Sequence, residues 1–227
     1  MDSRCHLFDE WAESYDDAVQ TNAGFPFAGY DQVLGEIFRL SGAKPGMRVL
    51  DLGTGTGNLA GLFAAFGCTV IGVDFSSEML AAARKKVPDA RFVRGDLTRG
   101  LDLLGNERFD LIVSAYVFHE FDLSTKVSIM KELVRDHLAE RGRMVIGDIA
   151  FPTIKEREEA QQRWASQWDE EEHYWAADEA IAACGKAGLR VRYVQVSCCG
   201  GVFSTSEWPV SSLASPCDRS CPALQQD

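Results

Sequence analysis

The stretch Val49-Leu50-Asp51-Leu52-Gly53-Thr54-Gly55-Thr56-Gly57-Asn58 constrains this chain more than any other: a short apolar run ends in an acid, followed by three glycines at every second position. Glycine has no Cβ, so the backbone N–H groups of such a loop can approach a ligand closely at the start of the following helix. Leu59, Leu62, Phe63 and Phe66 continue at helical spacing, so the segment reads as strand, loop and helix. Two further apolar runs end in acids, Thr69-Val70-Ile71-Gly72-Val73-Asp74 and Arg91-Phe92-Val93-Arg94-Gly95-Asp96-Leu97. Any one of these acids could simply cap a loop. Three at successive strand ends describe one crevice at the carboxyl edge of a parallel sheet.

The glycine spacing separates two ligand classes. Dinucleotide-binding loops are spaced G-x-G-x-x-G/A; Gly53 and Gly55 fit the first two positions, but the third falls on Asn58, and Gly57 comes one residue early. The acid two residues before the first glycine is no part of that fingerprint. The combination resembles the class I S-adenosylmethionine-dependent methyltransferases, whose first motif is an acid-x-G-x-G-x-G loop after the first strand. The resemblance covers most of the chain. It implies an α/β fold, a Rossmann-like, doubly wound, mostly parallel seven-stranded sheet of order 3-2-1-4-5-7-6. It also implies that Gly53, Thr54, Gly55 and Gly57 hold the methionine end of the cofactor, and Asp74 the ribose, where an acceptor-only carboxylate suits a diol. Asp96 and Leu97 would meet the adenine, with Phe75 and Met79 packed on its face; Asp51, Asn58, Gly95 and Ala115 complete the set.

Composition sets limits on partners. The chain has 227 residues, 46% apolar and 25% charged, enough for one domain with a sizeable core. Its net charge of −11 disfavours a nucleic-acid partner, because phosphate binding rests on Lys and Arg that displace counterions. No long apolar run is present, so neither a signal peptide nor a membrane span is expected, and the expected compartment is the cytoplasm. Cys68 and Cys184 sit in apolar patterns and read as small buried hydrophobes. Cys198, Cys199, Cys217 and Cys221 lack the spacing and the nearby histidine of a zinc site, so no metal is expected.

The expected plan is a helical lid over residues 1–40, a methyltransferase domain over 41–206 with a helical insertion at 152–175, and a disordered tail over 207–227. Leu7, Trp11, Tyr15 and Val19 stand four apart, which predicts an amphipathic helix from His6 to Val19. The phrase from Phe8 to Asp16 is similar to the N-terminal lid of ubiquinone and menaquinone C-methyltransferases, implying that Tyr15 and Asp16 close over the cofactor. Closure excludes water and strengthens the electrostatics inside a site. A second helix is expected from Asp31 to Leu40, with Tyr30 at its start either a core residue or a cofactor contact.

The fourth strand, Phe109 to Ser114, runs into Ala115-Tyr116-Val117-Phe118-His119-Glu120-Phe121. By the resemblance this strand end faces the methyl acceptor. It lacks the Asn/Asp-Pro-Pro-aromatic motif of enzymes that methylate exocyclic amines of bases or glutamine amides. It resembles instead the Tyr-x-Phe-His-His stretch of bacterial small-molecule methyltransferases of unassigned substrate, with Glu120 in place of the second histidine. The fifth strand, Arg143 to Asp148, adds a fourth acid to the rim. His119 is the first candidate general base because its ordinary pKa lies near neutrality; a histidine that only holds a loop is the alternative. Asp148 is a second base or the group that orients His119, and Tyr116 lines the acceptor pocket.

Asp122 or Ser124 is expected to begin a helix that stops before Gly142. Trp164 and Trp168, four apart on a helix face, read as a packing seam or a pocket wall, within a charged run from Lys155 to Glu172 that reads as a solvated face. Leu189 to Val196 is expected as the sixth strand and Gly201 to Ser204 as a short antiparallel seventh on a weak edge.

The reaction implied is in-line methyl transfer from S-adenosylmethionine to a small-molecule acceptor. Alignment of the reactants supplies roughly 7 to 11 kcal/mol of such a barrier and a general base about 100-fold to 10,000-fold, so alignment is the larger effect. Two other readings stay open on the sequence alone. One is S-adenosylmethionine binding without turnover, hinted at by the broken histidine pair; the other is a nicotinamide-dependent oxidoreductase, which the glycine spacing opposes.

Overall fold

The computed structural model describes residues 8–21 and 24–205. A helical turn at 8–11 precedes α1 (Tyr15–Thr21) and α2 (Tyr30–Ser41), followed by β1 (Arg48–Leu52), α3 (Asn58–Ala65), β2 (Thr69–Asp74), α4 (Ser77–Lys86) and β3 (Arg91–Arg94). Two 3-10 turns lead to β4 (Phe109–Ala115), and a third, Phe118–Glu120, to α5 (Leu123–Asp136) and β5 (Leu138–Phe151). The chain then runs through α6 (Ile154–Arg163), β6 (Trp175–Ala176), α7 (Ala177–Lys186), β7 (Val191–Gln195) and β8 (Gly200–Thr205).

The central strands are buried on both faces, which marks the interior of a parallel sheet covered by helices. In β4, Leu111 and Val113 enter one core cluster while Phe109 and Ile112 enter the other; in β5, Val145 and Ile149 alternate with Met144 and Ile146 in the same way. The first cluster includes residues of α2, α3 and α4, the second residues of α5 and α7. The sheet order is β3-β2-β1-β4-β5-β8-β7, parallel from β3 to β5 and antiparallel at β8. This is the expected order, with β7 and β8 as the sixth and seventh strands and β6 a two-residue addition paired to β5.

Several expectations need correction. The seventh strand is no edge: β8 spans six residues and pairs β5 on one side and β7 on the other. Gly201 makes this possible, since a Cβ there would stand 2.4 Å from the Tyr193 hydroxyl. The opening segment breaks at residues 12–14 instead of running as one helix, and Leu7 lies outside the described residues. The helix α2, expected to belong to a lid over residues 1–40, packs in the core with Val33 and Ile37 fully buried. Of the four apolar residues read as the inward face of α3, Leu59 and Phe63 are buried, while Leu62 and Phe66 are each 42% exposed.

Asp122 caps α5 by accepting from the Thr125 N–H, but the helix ends at Asp136 and Gly142 sits inside β5. Trp164 and Trp168 lie beyond the end of α6 and stack on Phe25, with ring centroids 4.9 and 5.7 Å apart, which is the packing seam. Cys184 is buried and Cys68 half-buried. Cys217, Cys221 and the tail over 207–227 lie outside the described residues. Among the described residues no helix is long and apolar enough to cross a membrane.

The side chains of α2 press on the sheet at Gly147, where a Cβ would stand 2.6 Å from both Val33 and Ile37 side chains. Gly147→Ala is therefore expected to destabilise the fold by about 1–3 kcal/mol, seen as a lower urea midpoint at unchanged m value.

Candidate functional site

Three left-handed glycines shape the loop between β1 and α3: Gly53, Gly55 and Gly57 have φ of 62°, 52° and 85°. A Cβ on Gly53 would overlap Val117 at 2.2 Å, whereas the space over Gly55 is open for 4 Å. Two acids hold the loop in this shape. Asp51 accepts from the Thr54 hydroxyl at 2.7 Å, and Asp74 accepts from the Gly55 N–H at 2.9 Å and the Ser76 N–H at 2.9 Å. Both carboxylates are buried. Burial, with repulsion from Asp74 and against the Thr54 bond, pushes Asp51 up to about 7. Burial also raises Asp74, against the pull of its backbone N–H partners. The helix α3 starts on Gly57, which offers no side-chain cap, and the Ala60 N–H of its first turn bonds the Asp51 carboxylate.

The residues around the turn 8–11 and α1 close over this loop. Asp16 accepts from Thr56 at 2.6 Å, Asn58 at 3.0 Å and Lys86 at 2.5 Å, while Asp9 accepts from the Ser76 hydroxyl at 2.5 Å. Beneath them is a cavity of about 20 Å³ lined by Tyr15, Tyr30, Asp51, Gly53, Thr54, Gly55, Thr56, Asn58, Leu59 and Ala115. All of these except Thr56 and Leu59 were singled out from the sequence.

The other expected cofactor residues lie along the same edge but not at this cavity. Gly57 packs on Ala83, and Gly95 lies close under Leu103 and Val73. Phe75 meets the Phe8 ring edge-on at 5.3 Å, and Met79 is buried at the start of α4. Asp96 caps the turn Leu97–Arg99 by accepting from the Thr98 N–H at 2.9 Å, and Leu97 packs on the second core cluster. A larger hollow of about 570 Å³, lined by Arg108, Leu138 and Leu189 among others, opens at the opposite, amino edge. Ligands of open α/β sheets bind at the carboxyl edge, so the small cavity is the candidate site.

Beyond Ala115 in the chain come Tyr116 and His119, with Asp148 on the paired strand β5. Tyr116 has φ 57°, an outlier for a bulky residue, and stacks on Tyr30 with centroids 5.1 Å apart. Its hydroxyl is buried without a hydrogen-bond partner among the described residues, and burial raises its pKa, so it stays protonated. Asp148 is buried and saturated: it accepts from the His119 N–H at 2.8 Å, the Ile149 N–H at 2.8 Å and the Trp175 indole at 3.0 Å, and it pairs with His119 Nδ1 at 2.6 Å. Burial alone lowers the imidazole pKa, but Asp148, helped by Glu172, lifts it above its ordinary value. Asp148 is conversely held below the ordinary carboxylate range, chiefly by His119, in spite of its burial. Of its two expected roles, its geometry is that of the group that orients His119.

Three residues of this neighbourhood were missed. Trp175 and Glu172 sit in or beside the acidic run that reads as a solvated face, and Lys126 reads as an ordinary surface residue of α5. In the fold Lys126 is buried, its ammonium donates to the His173 carbonyl and lies 4.2 Å over the Trp175 ring, and burial lowers its pKa to about 8. Lys86 was missed likewise, one of three successive basic residues of which only the tertiary structure selects the partner of Asp16.

A methyltransferase domain family matches residues 49–142, from β1 into β5. The uncharacterized methyltransferase YrrT of Bacillus subtilis is 31% identical over 202 residues, 83% of this chain and 91% of that protein; its Halobacillus halophilus counterpart is 30% identical over 84% and 91%. The chain belongs to the class I S-adenosylmethionine-dependent methyltransferases. Its fold is shared with solved members: a DhpI complex with SAM and HEP has a TM-score of 0.69 at 18% identity, covering 90% of this chain and 96% of that one. A magnesium protoporphyrin IX methyltransferase from Synechocystis with bound SAH has a TM-score of 0.65 at 17% identity, covering 89% and 98%.

Two predictions follow from the buried groups. A folded-state pKa of about 7 for Asp51, against 3.8 in the open chain, means the folded protein binds the extra proton between those values. Stability from this group is thus lost as pH rises from about 4 through 7, by on the order of 4 kcal/mol. Asp51→Asn, which still accepts from Thr54, is expected to gain on the wild type across that window in urea titrations at pH 4 and 8. Tyr116→Phe removes an unsatisfied buried hydroxyl and is expected to raise the unfolding free energy by about 1 kcal/mol in ligand-free protein, read by the same titration.

Proposed function

We propose that this protein transfers a methyl group from S-adenosylmethionine to a small-molecule acceptor, with the two ligands divided by Ala115. The observation that carries the small-molecule reading is burial: Tyr116 and His119, on the acceptor side, are 8% and 7% exposed. A polymer could present only a slender side chain to groups so enclosed. The net charge of −11 speaks against a nucleic-acid acceptor as well.

The residues present suit the cofactor. Open space over Gly55, the left-handed loop and the uncapped α3 accommodate a carboxylate-bearing chain, and Asp51, pushed up by burial, is a latent anion for a cationic centre. When bound, S-adenosylmethionine supplies a methyl group on positively charged sulfur. Gly53, Thr54, Gly55, Gly57, Asn58 and Tyr30 would hold its methionine end, Asp74 the ribose diol, and Phe75, Met79, Gly95, Asp96 and Leu97 the adenine. Tyr15 and Asp16 close the site and exclude water. The cavity of about 20 Å³ holds little more than one water, so entry requires residues 8–21 to swing away. The latch between Asp16 and Lys86, each about a third exposed at 36% and 34%, opposes that by no more than about 1 kcal/mol. Tyr116 offers its hydroxyl to the acceptor, and the His119–Asp148 pair is set to promote loss of a proton where one must leave. A cytoplasmic location belongs to the same proposal.

Titration calorimetry with S-adenosylmethionine, S-adenosylhomocysteine and NAD tests this reading. One saturable site for the two sulfur ligands and none for NAD is expected; NAD binding would overturn it, and tight S-adenosylmethionine binding with no product across a broad acceptor panel would favour a binding protein. Asp74→Ala is expected to weaken S-adenosylmethionine at least about ten-fold, the value of a charged hydrogen bond, and His119→Ala to leave it nearly unchanged. Equal losses would refute the division into cofactor and acceptor residues.

A further inference from the structure

His119 uses Nδ1 for Asp148, so its second nitrogen is aimed by that bond. Nε2 stands 3.7 Å from Glu120 Oε1 and 3.6 Å from Glu172 Oε1, beyond hydrogen-bond reach of either, on a ring whose side chain is 9% exposed. The three ligand atoms lie within 4.8 Å of one another. We propose that His119, Glu120 and Glu172 bind one divalent transition-metal ion, Zn2+ or Mn2+, beside the methyl acceptor.

The separations decide between an ion and an amine as the occupant. Ligand atoms about 2.1 Å from a tetrahedral metal stand about 3.4 Å apart. Three acceptors around an ammonium, at about 2.8 Å each, would stand about 4.6 Å apart. The two separations from His119, 3.6 and 3.7 Å, match the metal, and the two carboxylates lie within 4.8 Å of each other, so a small inward turn of either would complete the set. Charge agrees, since a neutral imidazole and two carboxylates balance a divalent ion, and imidazole with carboxylate suits Zn2+ and Mn2+. The Asp148–His119 bond is the outer contact that metal-bound histidines almost always have.

The site is also prearranged. His119 and Glu120 share one 3-10 turn, and Glu172 arrives from the segment before β6. These two stretches are tied together: the His173 N–H donates to the His119 carbonyl at 2.7 Å, and Lys126 donates to the His173 carbonyl. Tyr174 hydrogen-bonds Glu172. Glu120 and Glu172 side chains are 15% and 18% exposed, so one side stays open to solvent for further ligands. The ion's role, which alone rests on the methyltransferase reading and takes the place of His119 as a base, is to bind the acceptor's hydroxyl or amine, whose proton then passes to solvent more readily. The position where Glu120 replaces a second histidine thus supplies a ligand.

Titrating Mn2+ into the cofactor-free protein, followed by loss of the free-ion EPR signal, with Zn2+ calorimetry in parallel, is expected to show one saturable site. Glu120→Gln and Glu172→Gln, partly exposed and tolerant positions, should each weaken it at least about ten-fold, and Asp148→Asn by about 10- to 100-fold. No saturable site for either ion, or a site retained by the Glu120→Gln/Glu172→Gln double variant, would overturn the proposal. S-adenosylmethionine calorimetry on that double variant is expected to match wild type, which separates failure of the ion site from failure of the cofactor reading.

Discussion

Two buried carboxylates bear the site. Asp51 is the last residue but one of β1 and Asp74 ends β2, and their acceptor oxygens take the Thr54 hydroxyl and the Gly55 N–H that give the glycine loop its shape. Burying acids is unfavourable, which is why both are raised, and the cost is tolerated because hydrogen-bond donors face them on strand ends that cannot move independently. The parallel register of β1 on β2, with Asp51 opposite Gly72, places the two acids on one rim. Gly72 is needed beside them, since a Cβ there would stand 2.8 Å from the Thr54 hydroxyl.

A second buried acid system organises the other half of the rim. Asp148 lies beside β4 through the β5 pairing and draws His119, Trp175 and the N–H of its own neighbour Ile149 onto one carboxylate. The acid thereby ties together the turn after β4, β5 and β6. Between them Tyr116 holds a left-handed backbone and an unsatisfied hydroxyl, and such tension persists where the surroundings over-determine it, most often at functional sites. Charge is distributed accordingly: two raised acids face the loop, while around His119 stand Asp148, Glu120 and Glu172.

The sequence by itself determined the sheet and half the site. Apolar runs ending in acids, glycines at every second position and a helix start at Ser76 are local signals, because strand periodicity, positive φ and N-caps depend on neighbours in the chain. That is why Asp51, Gly53, Thr54, Gly55 and Asn58 were legible. Only the tertiary structure decided the rest. It extended β8 to six residues paired on both sides, since strand pairing is non-local, and it buried Val33 and Ile37 of α2 in the core. It chose Lys86 from a run of basic residues as the partner of Asp16, and Glu172 from an acidic run as the neighbour of His119, 53 positions from it in the chain. A charge in sequence carries no record of the charge it will face, because that depends on which distant segments the sheet order brings to the same edge.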